Sequence, residues 1–230
     1  MSSFLISGDS WGCGEWGCTG PDRYGVLHTG LQYYLDEIGH YTKNVSKGSI
    51  SNRDSINRLK NELQIKSDYD YIIWFQSDPL RDLRPYDKSE FATFNTINEM
   101  LVSANRLLSA SYTTLNDIGI PIHCIGGCSK VDTELIKNFK NLNPLITSAL
   151  ELIVKDHLHS PITFSDWIRN ISRDFQDLDE LVVIKQAQDK FFDDNEIYFY
   201  PDGVHANRLG HEIIFHKICD TLNIDKKVLL

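Results

Sequence analysis

Short apolar runs alternate with helix-period segments along this sequence, and that alternation predicts an α/β sandwich with a mainly parallel sheet. Two further observations support it. The run Tyr71-Ile72-Ile73-Trp74-Phe75 is apolar throughout and rich in aromatic and β-branched residues, as befits a central parallel strand covered on both faces. The chain has 230 residues, 41% hydrophobic and 24% charged, enough for one sizeable core and short for two. The expected unit is one domain over residues 1–230.

The elements follow in order. Phe4-Leu5-Ile6 is an apolar run that stops at Gly8, which suits a buried strand. Val26, Leu27, Leu31, Tyr34, Leu35 and Ile38 are spaced as on one helix face, so a helix is expected over Tyr24–Ile38 with Gly39 as its C-cap. Tyr41–Val45 reads as a second strand, Asp54–Leu63 as a second helix and Tyr71–Phe75 as the central strand. A long helical pattern covers Phe91–Leu115, and Gly119-Ile120-Pro121 then introduces a strand at Ile122–Ile125. Between Lys130 and Ser165 the pattern is irregular, with a helical piece at Leu145–Val154. Leu178–Phe192 reads as helix, Ile197–Tyr200 as a strand end and Asn207–Leu222 as an amphipathic helix.

Charge and composition exclude several functions. The net charge of -9, with no cluster of Lys and Arg, argues against nucleic acid and against an anionic membrane surface. No run approaches the ~20 apolar residues of a membrane span. The start, MSSFLISGDS, lacks the basic and long apolar regions of a signal peptide, so a cytosolic location, or release by a route that needs no signal, is expected. The five cysteines include Cys13 and Cys18 in a Gly-rich loop and Cys124 and Cys128 around a Gly-Gly. Neither pair has C-x2-C spacing; free, buried or half-buried thiols are expected over a zinc site or a disulfide, with Cys219 in the core.

In doubly wound sheets, ligands bind beyond the carboxyl ends of the strands, which directs attention to a few loops. After the first strand comes Ser7-Gly8-Asp9-Ser10-Trp11-Gly12, where a hydroxyl can be presented on amides that also stabilise an oxyanion. Alone, the Gly-Asp-Ser tripeptide reads more readily as a Gly-rich turn with a capping Asp or Ser. Near the other end, Asp202 and His205 stand three residues apart on a loop entering a helix. That spacing lets a carboxylate hold one imidazole nitrogen while the other takes a proton from a hydroxyl. A turn Asp and a helix-start His would look the same.

Together, Gly8-Asp9-Ser10 after the first strand and Asp202-Gly203-Val204-His205-Ala206-Asn207-Arg208-Leu209-Gly210-His211 before the last helix resemble the SGNH (GDSL-like) hydrolase superfamily. The resemblance covers the order of elements over most of the chain, while only short blocks match by residue. It implies a flavodoxin-like three-layer sandwich and an ester hydrolase. Ser10 would be the nucleophile, His205 the base that activates it, and Asp202 the group that orients His205. It also implies an oxyanion hole made from the Ser10 amide and a loop glycine after the second strand, here Gly48, which otherwise reads as a plain turn glycine. The family's third donor is an Asn in a Gly-x-Asn-Asp block; this sequence has Gln76-Ser77-Asp78-Pro79 instead. Ser77 occupies the aligned place, and Gln76 carries an amide that strand alternation points elsewhere.

Trp11 and Trp16, beside Ser10, can form an aromatic platform for a sugar or cover the sheet edge. Arg81 can touch a polar substrate or pair with Asp82, and the pair is the favoured expectation. His211 and His216 read as packing or surface residues of the last helix. The expected function is cleavage of a small polar ester such as a carbohydrate O-acetyl group, with no metal and no cofactor. A glycan-binding or structural module of the same fold with weakened catalysis is the alternative, kept alive by the altered third block. A flavin or nucleotide binder ranks below both, because Asp9 and Glu15 place negative charge where a phosphate would sit. The expected substrate is a small-molecule or carbohydrate ester.

Overall fold

The computed structural model describes residues 1–20, 23–83, 97–127, 129–153 and 205–226. Its sheet strands are β1 (Ser3–Ser7), β4 (Tyr41–Asn44), β5 (Tyr71–Gln76), β6 (Ile122–Gly126) and β7 (Leu142–Ile146). They lie in the order β4-β1-β5-β6-β7, and every neighbouring pair is parallel. Counted along the chain that is second, first, third, fourth, fifth, the order of flavodoxin-like sheets, whose switch point falls beside the first strand. β2 (Glu15–Gly20) and β3 (Arg23–His28) form a separate antiparallel hairpin.

Alternation along the central strands sorts the core into two layers. Phe4, Ile6, Ile73 and Phe75 face one side, where they meet Leu31 and Leu35 of α2 (Leu31–Glu37), Ala149 and Leu150 of α6 (Ala149–Ile153), and Ile214, Phe215 and Ile218 of α7 (Arg208–Leu222). Leu5, Ile72 and Trp74 face the other, against Ile56 and Leu59 of α3 (Asn52–Ile65), Leu108 and Tyr112 of α4 (Ile97–Asn116) and Ile136 of α5 (Thr133–Ile136). Ile73, Trp74 and Phe75 are all fully buried, as a strand covered on both faces requires. Among the described residues no helix is long and apolar enough to cross a membrane.

Several expected elements hold with small changes of boundary, and others are corrected. The helix expected over Tyr24–Ile38 begins only at Leu31; Arg23–His28 is a strand of the hairpin. Val26 and Leu27 are partly exposed, so their apolar character does not mark a helix face turned to the core. The irregular stretch after Lys130 contains β7, and Leu145 belongs to it rather than to a helix, which starts at Ala149. Pro144 obscured that strand; it is tolerated there because β7 is the outermost of the described strands. The helix expected from Phe91 is described from Ile97, and the elements expected over 178–200 lie outside the described residues.

Candidate active site

Because the described strands of the sheet all run parallel, the loops after β1, β4 and β5 emerge at one edge. Ser10 opens a four-residue helix, α1 (Ser10–Cys13), immediately after β1, and is buried. Asp9 is the N-cap: its Oδ1 accepts from the Trp11 amide at 3.0 Å. The loop after β4 is tied to this turn, since the Lys47 amide donates to the Gly8 carbonyl (3.1 Å) and Asn44 Nδ2 to the Gly12 carbonyl (2.8 Å). The same loop carries Gly48, half-buried.

Three expected site residues meet around one ring. Trp16 Nε1 donates to the Ser10 carbonyl at 2.9 Å. A Cβ placed on Gly48 would come within 2.5 Å of Trp16 Cη2, so the loop backbone reaches the indole only because residue 48 has no side chain. The imidazole of His205 lies with its centroid 5.7 Å from that of Trp16. Ser10 and His205 are 195 positions apart in sequence, and Trp16 brackets both. The segment bearing His205 is anchored just beyond it: Asn207 caps α7 by accepting from the Gly210 amide (3.1 Å), and Arg208 meets Glu15 at 3.5 Å. Tyr34 donates its hydroxyl to the Arg208 carbonyl at 3.1 Å. Asp202 lies outside the described residues.

The end of β5 and the loop after it hold the other expected residues. Ser77 is buried; its hydroxyl donates to the Ile50 carbonyl (3.0 Å) and accepts from Arg81 Nη1 (3.2 Å). Gln76 donates its amide to the Lys130 carbonyl (2.7 Å) and accepts from the Tyr112 hydroxyl (2.5 Å). The expected Arg81–Asp82 pair is corrected. Arg81, on the 3-10 helix Pro79–Leu83, pairs with Asp9 at 2.9 Å, whereas Asp82 accepts from Asn52 Nδ2 (2.8 Å) and the Arg53 amide (3.0 Å). Adjacent residues point apart on a tight helix, so Arg81 meets the turn after β1 and Asp82 the start of α3. Trp11 is corrected too: at 3% exposure it packs with Phe75, Ile125 and their neighbours in the core instead of forming an open platform.

Burial drives the Asp9 carboxyl above the ordinary range, and Arg81, the Trp11 amide, Ser77 and His205 pull it back. Cys13, at the end of α1, has its thiol pushed up to about 12 by burial and by Asp9, which favours the protonated form. Cys13, Cys124 and Cys219 are free, and Cys219 is fully buried. Among the described residues no group of His, Cys, Asp and Glu is placed to hold a metal.

Asn52 escaped the sequence reading. It is fully buried at the start of α3 and binds both backbone polar groups of Ser77: its Oδ1 accepts from the amide (2.7 Å) and its Nδ2 donates to the carbonyl (3.1 Å). The available signal was Ser51-x-x-Asp54, whose Ser caps the helix and so fixes the position of the residue that follows. A cavity of about 210 Å3 between α3, α4 and the 3-10 helix, lined by Arg53, Ile56, Asp82 and Leu107, includes no residue of the loops carrying Ser10, Gly48 or His205.

No family model matches the chain, and no curated protein matches it significantly. Solved structures are similar in chain path at low identity. One is the psychrotrophic esterase EstA from Pseudoalteromonas sp., 13% identical over 97% of each chain with a TM-score of 0.45. A second is Axe2, an acetylxylan esterase from Geobacillus stearothermophilus, 16% identical over 98% of this chain and 95% of that one, TM-score 0.45. A third is the lipase/acylhydrolase from Enterococcus faecalis, 14% identical over 99% of each chain, TM-score 0.42.

Proposed function

We propose that this protein is a serine hydrolase of the SGNH type that cleaves an ester through an acyl-enzyme on Ser10. The observation that carries the reading is the convergence on Trp16 of Ser10, Gly48 and His205, which lie on separate loops. Those residues supply what acyl transfer needs: a hydroxyl, an imidazole to take its proton, and backbone amides for the developing oxyanion. His205 removes the Ser10 proton as Oγ attacks the ester carbonyl, and the tetrahedral oxyanion is held by the Ser10 and Gly48 amides. Collapse expels the alcohol, which takes its proton from His205. Water, activated by the same imidazole, then releases the acid. Asp202, three residues before His205, orients the ring and balances its positive charge.

A third oxyanion donor at Ser77 requires its hydroxyl to leave the Ile50 carbonyl, and one at Gln76 requires its amide to leave Lys130. The proposed hole therefore rests on the two amides. Of the residues expected to meet substrate, Arg81 and Trp16 are partly exposed while Trp11 is buried, which suits a small polar ester such as an O-acetylated carbohydrate. The experiment is turnover of a simple acetyl ester by the wild type, Ser10→Ala, His205→Ala and Asp202→Asn, each checked for an unchanged thermal midpoint. Folded variants should lose at least about a hundredfold in kcat. Wild-type turnover by folded His205→Ala would remove the base from the mechanism and favour the binding-module alternative.

A further inference from the structure

We propose that Arg81 is a positioning residue for the nucleophile turn, holding the segment that carries Ser10 against the loop after β5 through its ion pair with the buried Asp9. The proposal rests on the serine-hydrolase reading. Arg81 Nη1 reaches Asp9 Oδ2 at 2.9 Å and Ser77 Oγ at 3.2 Å. The other carboxylate oxygen, Oδ1, caps α1 through the Trp11 amide at 3.0 Å. One carboxylate thus fixes the start of the helix that bears Ser10, while a cation from a different loop fixes the carboxylate.

A four-residue helix has too few internal hydrogen bonds to set its own direction, so such contacts decide where its first hydroxyl points. The Asp9 side chain is 5% exposed and that of Arg81 26%, so the pair is shielded from water on the carboxylate side. A buried carboxylate that loses its cation is driven toward protonation. The groups that act on Asp9 electrostatically are Arg81 from the 3-10 helix, His205 from the segment before α7 and Cys13 from its own helix. Without Arg81, Asp9 either stays charged beside the developing oxyanion or takes a proton and weakens the cap. Both outcomes slow attack by Ser10, and which prevails depends on pH.

The test is the rate at which a fluorophosphonate labels Ser10 in the full chain, measured across pH for the wild type, Arg81→Met, Asp9→Asn and the double variant, with thermal midpoints alongside. Arg81→Met is expected to slow labelling about tenfold or more and to add an ionisation that the wild type lacks. Pairing it with Asp9→Asn should remove that ionisation and cost no more than the worse single change, because the two side chains act as one unit. A folded Arg81→Met protein with the wild-type rate and pH profile, or losses that simply add in the double variant, would overturn the proposal. Should Arg81→Met fail to fold, Asp9→Asn alone must slow labelling about tenfold, and a wild-type rate there overturns it as well. No label on wild-type Ser10 sinks the hydrolase reading and this proposal together, whereas a labelled wild type with unaffected variants sinks the positioning role alone.

Discussion

Replacing Trp16 by Phe removes the Nε1 donor while keeping a ring between Gly48 and His205. The lost bond to the Ser10 carbonyl is of ordinary neutral type, worth about 1 kcal/mol, so acetyl-ester turnover should fall about fivefold with little change in thermal midpoint. Trp16→Ala also removes the surface against which Gly48 lies and should cost considerably more; equal effects of the two changes would assign the role to the donor alone. His211 gives a second test, in stability rather than rate. It is buried on α7, and neither ring nitrogen has a hydrogen-bond partner of good geometry among the described residues. Burial lowers its pKa to about 4, with His28 and His205 pushing the same way and the nearby Gly14 carbonyl resisting. The folded value lies below the unfolded one, so the unfolded chain binds the proton first. Stability from this group is complete above about pH 6.5 and is lost as pH falls toward 4, to a total on the order of 3 kcal/mol. Urea unfolding of the wild type and His211→Leu at pH 7 and pH 4 checks this. The variant should lose about 3 kcal/mol less on acidification, and parallel losses would mean that His211 is not the group responsible.

At the scale of elements, the ends of α3 and β5 depend on Asn52. Asn52→Leu strands the amide and carbonyl of Ser77 and one oxygen of Asp82 without their partner, all in a buried place. The expected loss is roughly 2–4 kcal/mol, or about 5–15 °C in a chain of this size, together with slower turnover because the loop holding Arg81 is released. Calorimetry of the folded variant checks it; a midpoint within about 2 °C of the wild type would show that water replaces the amide at no cost. Elements were legible in the sequence where one force dominated. Tyr71–Phe75 could hardly be other than a buried strand, and Asn207 before an amphipathic run marked the start of α7. Arg23–His28 was not legible, because residues at helical spacing also occur on a hairpin whose apolar side chains stay partly exposed. Nor was β7, whose Pro144 argues against a strand until its outermost place among the described strands is known.

For the whole molecule, the alternation of strand and helix carried the three-layer architecture, since two-sided burial of a parallel sheet leaves few other ways to cover it. Ser10, Gly48 and His205 stood out in the sequence as short blocks, and the fold brings each of them against Trp16. The bonds that hold those blocks together were not legible there. Arg81 chose Asp9, 72 positions away, over its neighbour Asp82, and Asn52 chose Ser77, 25 positions away. Such partners are set by which loops the topology brings to one edge, and nothing local encodes that. The proposed role of Ser10 as the nucleophile is tested most directly by fluorophosphonate labelling of the wild type and Ser10→Ala, with the modified peptide identified by mass. One adduct per chain on Ser10, absent from the variant, is the expected result; an unlabelled wild type, or an equal adduct on folded Ser10→Ala, would contradict it.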